Sequence, residues 1–410
     1  MTTIRTLVCA IVLGLLLSGL SQLDASRAED ADEDDAESSA LASASPTNEK
    51  VQSTPVVMRI DNVPIPVKGS DDRYHVVYEI TLENFTGDRV AIDRVEVLNA
   101  RSGVIDAAFD AADVAKRLVV RDRSNVPGTM AASQVGILYL HVIYPQRDAI
   151  PRALDHRLTT TSQKEGTLSA TAARTRVART TDLVFAAPLR GHRFIAGDGC
   201  CDSVRHIRAT LAINGSAFTA QRFAIDWEQL DEQGRIYVGD REKPESYIIY
   251  GKPVYAVADA RVIAAVDGMP DSPIGVLPNT PVDKADGNHV VLDLGNGRYV
   301  LYAHLKPHSV RVYEGQFVRR GEVLGLVGTS GNSSEPHLHF HVTDGRSPLM
   351  SNGVPYLLQK FSGRRKAIST EAFDQATVDG KPIATEAVPL PGLHEDVLPL
   401  DLWIVDFREK

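Results

Sequence analysis

Between residues 56 and 187 apolar and polar positions tend to alternate at period two, the signature of strands with one face buried. Tyr74-His-Val-Val-Tyr-Glu-Ile-Thr-Leu82 alternates, Arg89 to Leu98 does so loosely, and Gln134 to Tyr144 is an apolar run rich in β-branched and aromatic residues. Turn-forming stretches separate them: Asn84-Phe-Thr-Gly-Asp88, Asn125-Val-Pro-Gly128 and Pro145-Gln-Arg147. The pattern predicts an immunoglobulin-like β-sandwich over 56–187. His75, His141 and His156 fall singly in this region and read as structural residues.

A glycine-rich junction, 188–214, carries the apolar pieces Arg193-Phe-Ile-Ala196 and Thr210-Leu-Ala-Ile213, so it should pack on the domain downstream of it and not swing freely. Short strands resume over 215–361 and predict a second, antiparallel β domain. A proline- and glycine-rich loop from Asp267 to Gly287 lies between two of its strands, where it could wall a substrate groove. Beyond it, 362–410 loses periodicity and reads as an extended C-terminal tail whose Trp403/Phe407 end returns to pack.

Charge changes this picture only at the N-terminus. The net charge is −9, but Glu29, Asp30, Asp32, Glu33, Asp34, Asp35, Glu37 and Glu49 stand against Lys50 alone, so the rest is close to neutral. No basic patch suggests nucleic acid. Residues 29–55 are too poor in large apolar side chains to offset ordering entropy and read as a disordered acidic linker. Arg5, an apolar run and Ser26-Arg-Ala28 make 1–28 a secretory signal peptide cut after Ala28. The expected location is therefore secreted or periplasmic, with no stable membrane insertion after cleavage. In such a compartment Cys200-Cys201 could form a vicinal disulfide, stay as thiols, or bind metal with His206.

The candidate chemistry lies in Ser330-Gly-Asn-Ser-Ser-Glu-Pro-His-Leu-His-Phe-His341. A turn runs into a strand on which His337, His339 and His341 fall at spacing two and share one face. Clustered imidazoles suit zinc, whose bonds to nitrogen are about 2.0–2.1 Å. A catalytic site also needs a carboxylate or further imidazole and a proton carrier, and Asp226 and His304 are available.

Asp226 in Phe-Ala-Ile-Asp-Trp227, Tyr302-Ala-His-Leu305 and Pro336-His-Leu-His-Phe340 together resemble lysostaphin/LytM-type zinc metalloendopeptidases, which cut peptidoglycan peptides. The resemblance covers roughly 215–357. It implies Zn2+ held by Asp226 and His339, with His304 and His337 as the catalytic pair. Tyr302 and Asn332 are the substrate-binding candidates, and the partner is a peptidoglycan peptide. The family pattern has a histidine four residues before the aspartate, where this chain has Arg222, which has no lone pair for a metal. His341 is assigned as the further metal ligand, with His206 as the other residue able to reach in. The alternatives are a weakly held metal, or a degenerate domain that binds cell wall or regulates wall hydrolases. Gly315 to Gly328 also looks like a biotinyl or lipoyl carrier hairpin, but no lysine occupies its turn.

Overall fold

β1 (Tyr74–Asn84) shows how a nearly continuous apolar strand can serve two cores. Its Val76, Tyr78, Ile80 and Leu82 face the sandwich interior, while Val77 belongs to the second core. The structure, a computed structural model, describes residues 51–121, 126–201 and 205–407. The signal peptide, nearly all of the acidic linker and the turn residue Asn125 lie outside the described residues.

β1 pairs in antiparallel register with β3 (Val135–Tyr144), and β2 (Val90–Asn99) pairs with β4 (Ala153–Ser162). Each pair lies within a separate five-stranded sheet. Val95, Val97, Leu154 and Leu158 of one sheet pack with Val76, Ile80, Leu138 and Leu140 of the other. Fully burying each such side chain contributes about 1.5–3 kcal/mol. The two sheets thus share one core as a β-sandwich, and residues 54–410 cluster as one compact unit.

The second half is organised by a ten-stranded sheet. Its strands are β5 (Gly191–Gly197), β6 (Ile225–Gln229), β7 (Ala260–Val266), β8 (Asn288–Gly295), β9 (Arg298–Leu305), β10 (Phe317–Val318), β11 (Leu338–Thr343), β12 (Phe361–Ala367), β13 (Thr385–His394) and β14 (Trp403–Phe407). They lie side by side as β10-β7-β8-β9-β11-β6-β5-β14-β12-β13. The junction thus supplies β5, a strand inside the sheet.

The C-terminal segment is more ordered than its sequence predicts. It adds β12, β13 and β14 to the sheet, with Trp403 and Phe407 buried as expected. It also forms a helix, Thr370–Asp379, capped by the Ser369 hydroxyl at one end and by left-handed Gly380 at the other. Phe373 and Ala376 bury one side of this helix against Ile195, Tyr237 and Leu402.

Candidate metal and active site

Strand alternation sorts the central residues onto two faces. Gly197, Asp226, His339 and Ala303 are successive partners across β5, β6, β11 and β9, so they share one face. Trp227, Leu338, Phe340 and Tyr302 belong to the core on the other. Tyr302 is therefore corrected from a substrate-binding candidate to a core residue. It is fully buried, and its hydroxyl accepts the Val257 N–H at 2.9 Å.

Continued alternation would send His304 to the core face with Tyr302, but β9 breaks there. His304 has φ 60°, in the left-handed region, and the register with β8 shifts beside it. A non-glycine residue seldom adopts this backbone without local support. Here the His304 N–H donates to Asp286 O and its carbonyl accepts from Gly328 N. The ring comes to lie 4.8 Å from that of His337 and 5.7 Å from that of His339, centroid to centroid.

Asp226 is the hub. His339 Nδ1 lies 2.8 Å from its Oδ1, His206 Nε2 3.2 Å from its Oδ2, and His337 Nε2 3.5 Å from Oδ1. Ligand atoms of His206, Asp226 and His339 all lie within 4.8 Å of one another; those of His304, His337 and His339 do the same. The sites assigned to Asp226, His304, His337 and His339 thus converge. Asn332 lines the same groove, of about 420 Å³, as does Leu277 from the loop expected to wall it.

Two expectations change. His341 is not beside Asp226. Its Nδ1 meets His339 Nε2 at 2.8 Å, on the far side of the ring, and its Nε2 reaches Pro348 O at 3.2 Å. Arg222 turns away from the groove altogether. Its guanidinium makes a two-pronged pair with Glu79 of β1, at 2.8 and 2.7 Å, and donates to Gly353 O at 2.8 Å. His206, twenty residues before Asp226, stands beside the carboxylate instead, its Nε2 3.2 Å from Oδ2. Cys200 and Cys201 form a disulfide, so they are not thiol ligands beside it. Their turn is tied down by Gly199 N to Asp401 Oδ1 and Asp401 N to Cys200 O.

Hydrogen bonds fix which ring nitrogens face inward. Nδ1 of His206, His304 and His337 donates to the carbonyls of Asp198, Ser330 and Glu335 at 3.0, 2.8 and 2.8 Å, leaving Nε2 for the groove. Pro348 O can only accept, so His341 Nε2 carries the proton and its Nδ1 accepts from His339 Nε2–H. His339 Nδ1 is then a bare lone pair 2.8 Å from a carboxylate oxygen. Two acceptors at that distance need a cation shared between them, a proton or a metal.

Electrostatics agree with this placement. Burial alone would raise the Asp226 carboxyl, yet His206, His337 and His339 hold it well below the usual range. Burial opposes protonation of His206, but Asp226 raises its pKa to about 9. Burial, followed by His337 and His339, pushes His304 well below the ordinary imidazole value, so it stays neutral. A donor set of two imidazoles and one carboxylate, each imidazole anchored through its other nitrogen, fits zinc.

Residues 247–351 match the family described as Peptidase family M23. This span includes the histidines from His304 to His341 but not His206, Arg222 or Asp226. A stretch of 63 residues is 44% identical to DD-carboxypeptidase/endopeptidase Mpg of Neisseria meningitidis serogroup B, covering 15% of this chain and 14% of that protein. Over 127 residues the chain is 30% identical to peptidoglycan DD-endopeptidase ShyA of Vibrio cholerae serotype O1, covering 29% and 26%. The chain thus spans about a quarter or less of the length of these relatives. Among solved structures, the catalytic domain of lysostaphin from Staphylococcus simulans is 21% identical, with a TM-score of 0.23, covering 40% of this chain and 88% of that one.

Proposed function

Because residues 247–351 carry a Peptidase M23 domain of LytM type, we propose that the chain is an extracytoplasmic, zinc-dependent endopeptidase that hydrolyses peptide bonds of peptidoglycan. The observation that carries the reading is the bare His339 Nδ1 beside Asp226, with His206 closing the set. His206 Nε2, an Asp226 oxygen and His339 Nδ1 are the atoms that hold the ion. This set is preferred to His304/His337/His339 because it includes an anion, which offsets the charge of a divalent cation. When bound, zinc supplies a Lewis acid that polarises a scissile carbonyl and acidifies a water molecule.

The chain's own residues do the remainder. His304 is kept neutral, so its Nε2 can take a proton from water attacking a peptide carbonyl. The proton His304 has taken can pass on to the leaving amine, and His337, whose Nδ1–H is held by Glu335 O, can donate from Nε2 to the developing oxyanion only as the imidazolium. Asn332 and Leu277 border the space the peptide would occupy. The apolar run within 1–28 and the envelope substrate of the relatives support an extracytoplasmic setting. Among the described residues no helix is long and apolar enough to cross a membrane.

Arg222 was the main support for a degenerate domain. Its engagement by Glu79 removes that support, since the charge does not enter the groove. The test is turnover of purified cross-linked peptidoglycan by wild type, His206→Ala and His339→Ala, with zinc measured on each. Turnover that disappears together with zinc supports the reading, and turnover unchanged in both variants refutes it.

A further inference from the structure

Away from the groove, a second set of ligand atoms meets where the sandwich packs on the other core. Val77 of β1 belongs to that core; His75, two residues earlier, shares its face, and His141 of β3 is its cross-strand partner. Both imidazoles therefore leave the sandwich interior and face the turn after β5 that carries Cys200 and Cys201. Cys201 Sγ and one ring nitrogen each of His75 and His141 all lie within 4.8 Å of one another. His75 and Cys201 are buried, and His141 is half-buried.

Hydrogen bonds aim these nitrogens. Asp71 Oδ1 accepts from His75 Nε2–H at 2.9 Å, and the same carboxylate is fixed by the Arg73 backbone N–H at 3.1 Å and Arg73 Nε at 2.7 Å. An ion-paired carboxylate only accepts, so Nε2 carries the proton of the neutral ring and Nδ1 is left as a lone pair. That lone pair faces His141 Nε2 at 2.8 Å. A proton on His141 Nε2 fills the gap in one state; a metal ion is the other cation that two imidazoles and a sulfur can share. A carboxylate behind a ligating imidazole, as Asp71 stands behind His75, is the outer contact such a site uses.

Cys201 is not free to ligate while its sulfur is joined to Cys200. A bridge between neighbours in sequence closes the shortest of loops, so it removes little entropy from the unfolded chain. What it does control is the Cys201 sulfur. We propose that reduction of this disulfide opens a second metal site, in which the Cys201 thiolate, His75 Nδ1 and His141 Nε2 hold a divalent ion of the zinc class. The reductant is a dithiol: it passes two electrons and two protons to the Cys200–Cys201 bond, which breaks as the dithiol closes to its own disulfide. The Cys201 thiol gives up its proton as the ion binds, and water completes a tetrahedral shell. The ion would tie β1 and β3 of the sandwich to the turn after β5. The site shares no residue with the groove and does not depend on the peptidase reading.

The test uses the full chain in two forms, with the disulfide intact and after reduction by dithiothreitol followed by its removal without air. Zinc per chain is measured after dialysis against zinc, and cobalt is substituted to detect a thiolate-to-metal absorption band. Reduced wild type is expected to hold about one zinc more than the oxidised form, and to show the band with cobalt. Cys200→Ser leaves Cys201 unbridged, so it should hold the extra ion with no reductant at all; this gain decides the matter even if reduction unfolds the wild type. His75→Ala, His141→Ala and Cys201→Ser should each lose the extra ion, and Asp71→Ala should weaken it about 10–100-fold. Zinc equal in both forms of wild type and in Cys200→Ser overturns the site. So does an extra ion that survives in both histidine variants, since the thiols alone would then hold it.

Discussion

The sandwich and the groove both bury histidine, and they treat it differently. His156 in the sandwich has both nitrogens satisfied, Nε2 by the Tyr78 hydroxyl at 2.8 Å and Nδ1 by Ala173 O at 3.0 Å. His206, His304 and His337 each anchor Nδ1 on a backbone carbonyl and turn Nε2 to the groove. The lesson is that burial alone does not mark a functional histidine. At His156 both nitrogens are taken up by neighbours, whereas at His339 the nitrogen turned to the groove meets a carboxylate.

The largest test of this contrast is to delete a groove histidine and a sandwich histidine in parallel. His206→Ala or His339→Ala is expected to abolish zinc binding and turnover, whereas His156→Gln should leave zinc content unchanged, read by elemental analysis. The Glu79–Arg222 pair offers the next largest effect. Both side chains are under a tenth exposed, so Glu79→Ala strands a buried cation and should cost about 3–5 kcal/mol. The melting temperature falls in calorimetry, but zinc is retained, because the pair lies away from the groove.

His156 itself gives a pH signature. Burial lowers its pKa to about 4, so the fold holds it neutral. The unfolded chain takes up this proton below about 6.5 while the fold refuses it, so the stabilising effect is present above 6.5 and disappears as pH falls toward 4. The loss, about 3 kcal/mol at full extent, is measured as the difference between wild type and His156→Gln in denaturant unfolding at pH 7, 5 and 4. A smaller effect tests the outer contact of the metal set: His341→Ala should weaken zinc about 10–100-fold without eliminating it. Ser369→Ala removes the cap of the C-terminal helix and should cost only about 1 kcal/mol in thermal unfolding.

Much of the site was legible because strand periodicity is short-ranged. The spacing of His337, His339 and His341, and the placing of Asp226 opposite the core residues Ile225 and Trp227, follow from alternation alone. Tyr302 was misplaced because the left-handed residue that separates its face from that of His304 leaves no mark in the local pattern. His206 could be named but not chosen over His341, since its place beside Asp226, with Nδ1 anchored on Asp198 O, is set by tertiary contacts that no local pattern shows. The destination of Arg222 depends on Glu79, 143 residues away, and no local rule reaches that far. The C-terminal helix did carry a signal, with Ser369 ahead of it and Gly380 after it.

The central claim is that zinc is held by His206, Asp226 and His339. X-ray absorption at the zinc edge on the loaded full chain tests it most directly. The expected wild-type spectrum shows two imidazole ligands at about 2.0–2.1 Å with oxygen completing the shell. His206→Ala should lose one imidazole or the ion itself, and His341→Ala should keep both. A zinc shell unchanged by His206→Ala, or one that loses an imidazole in His341→Ala instead, would contradict the account.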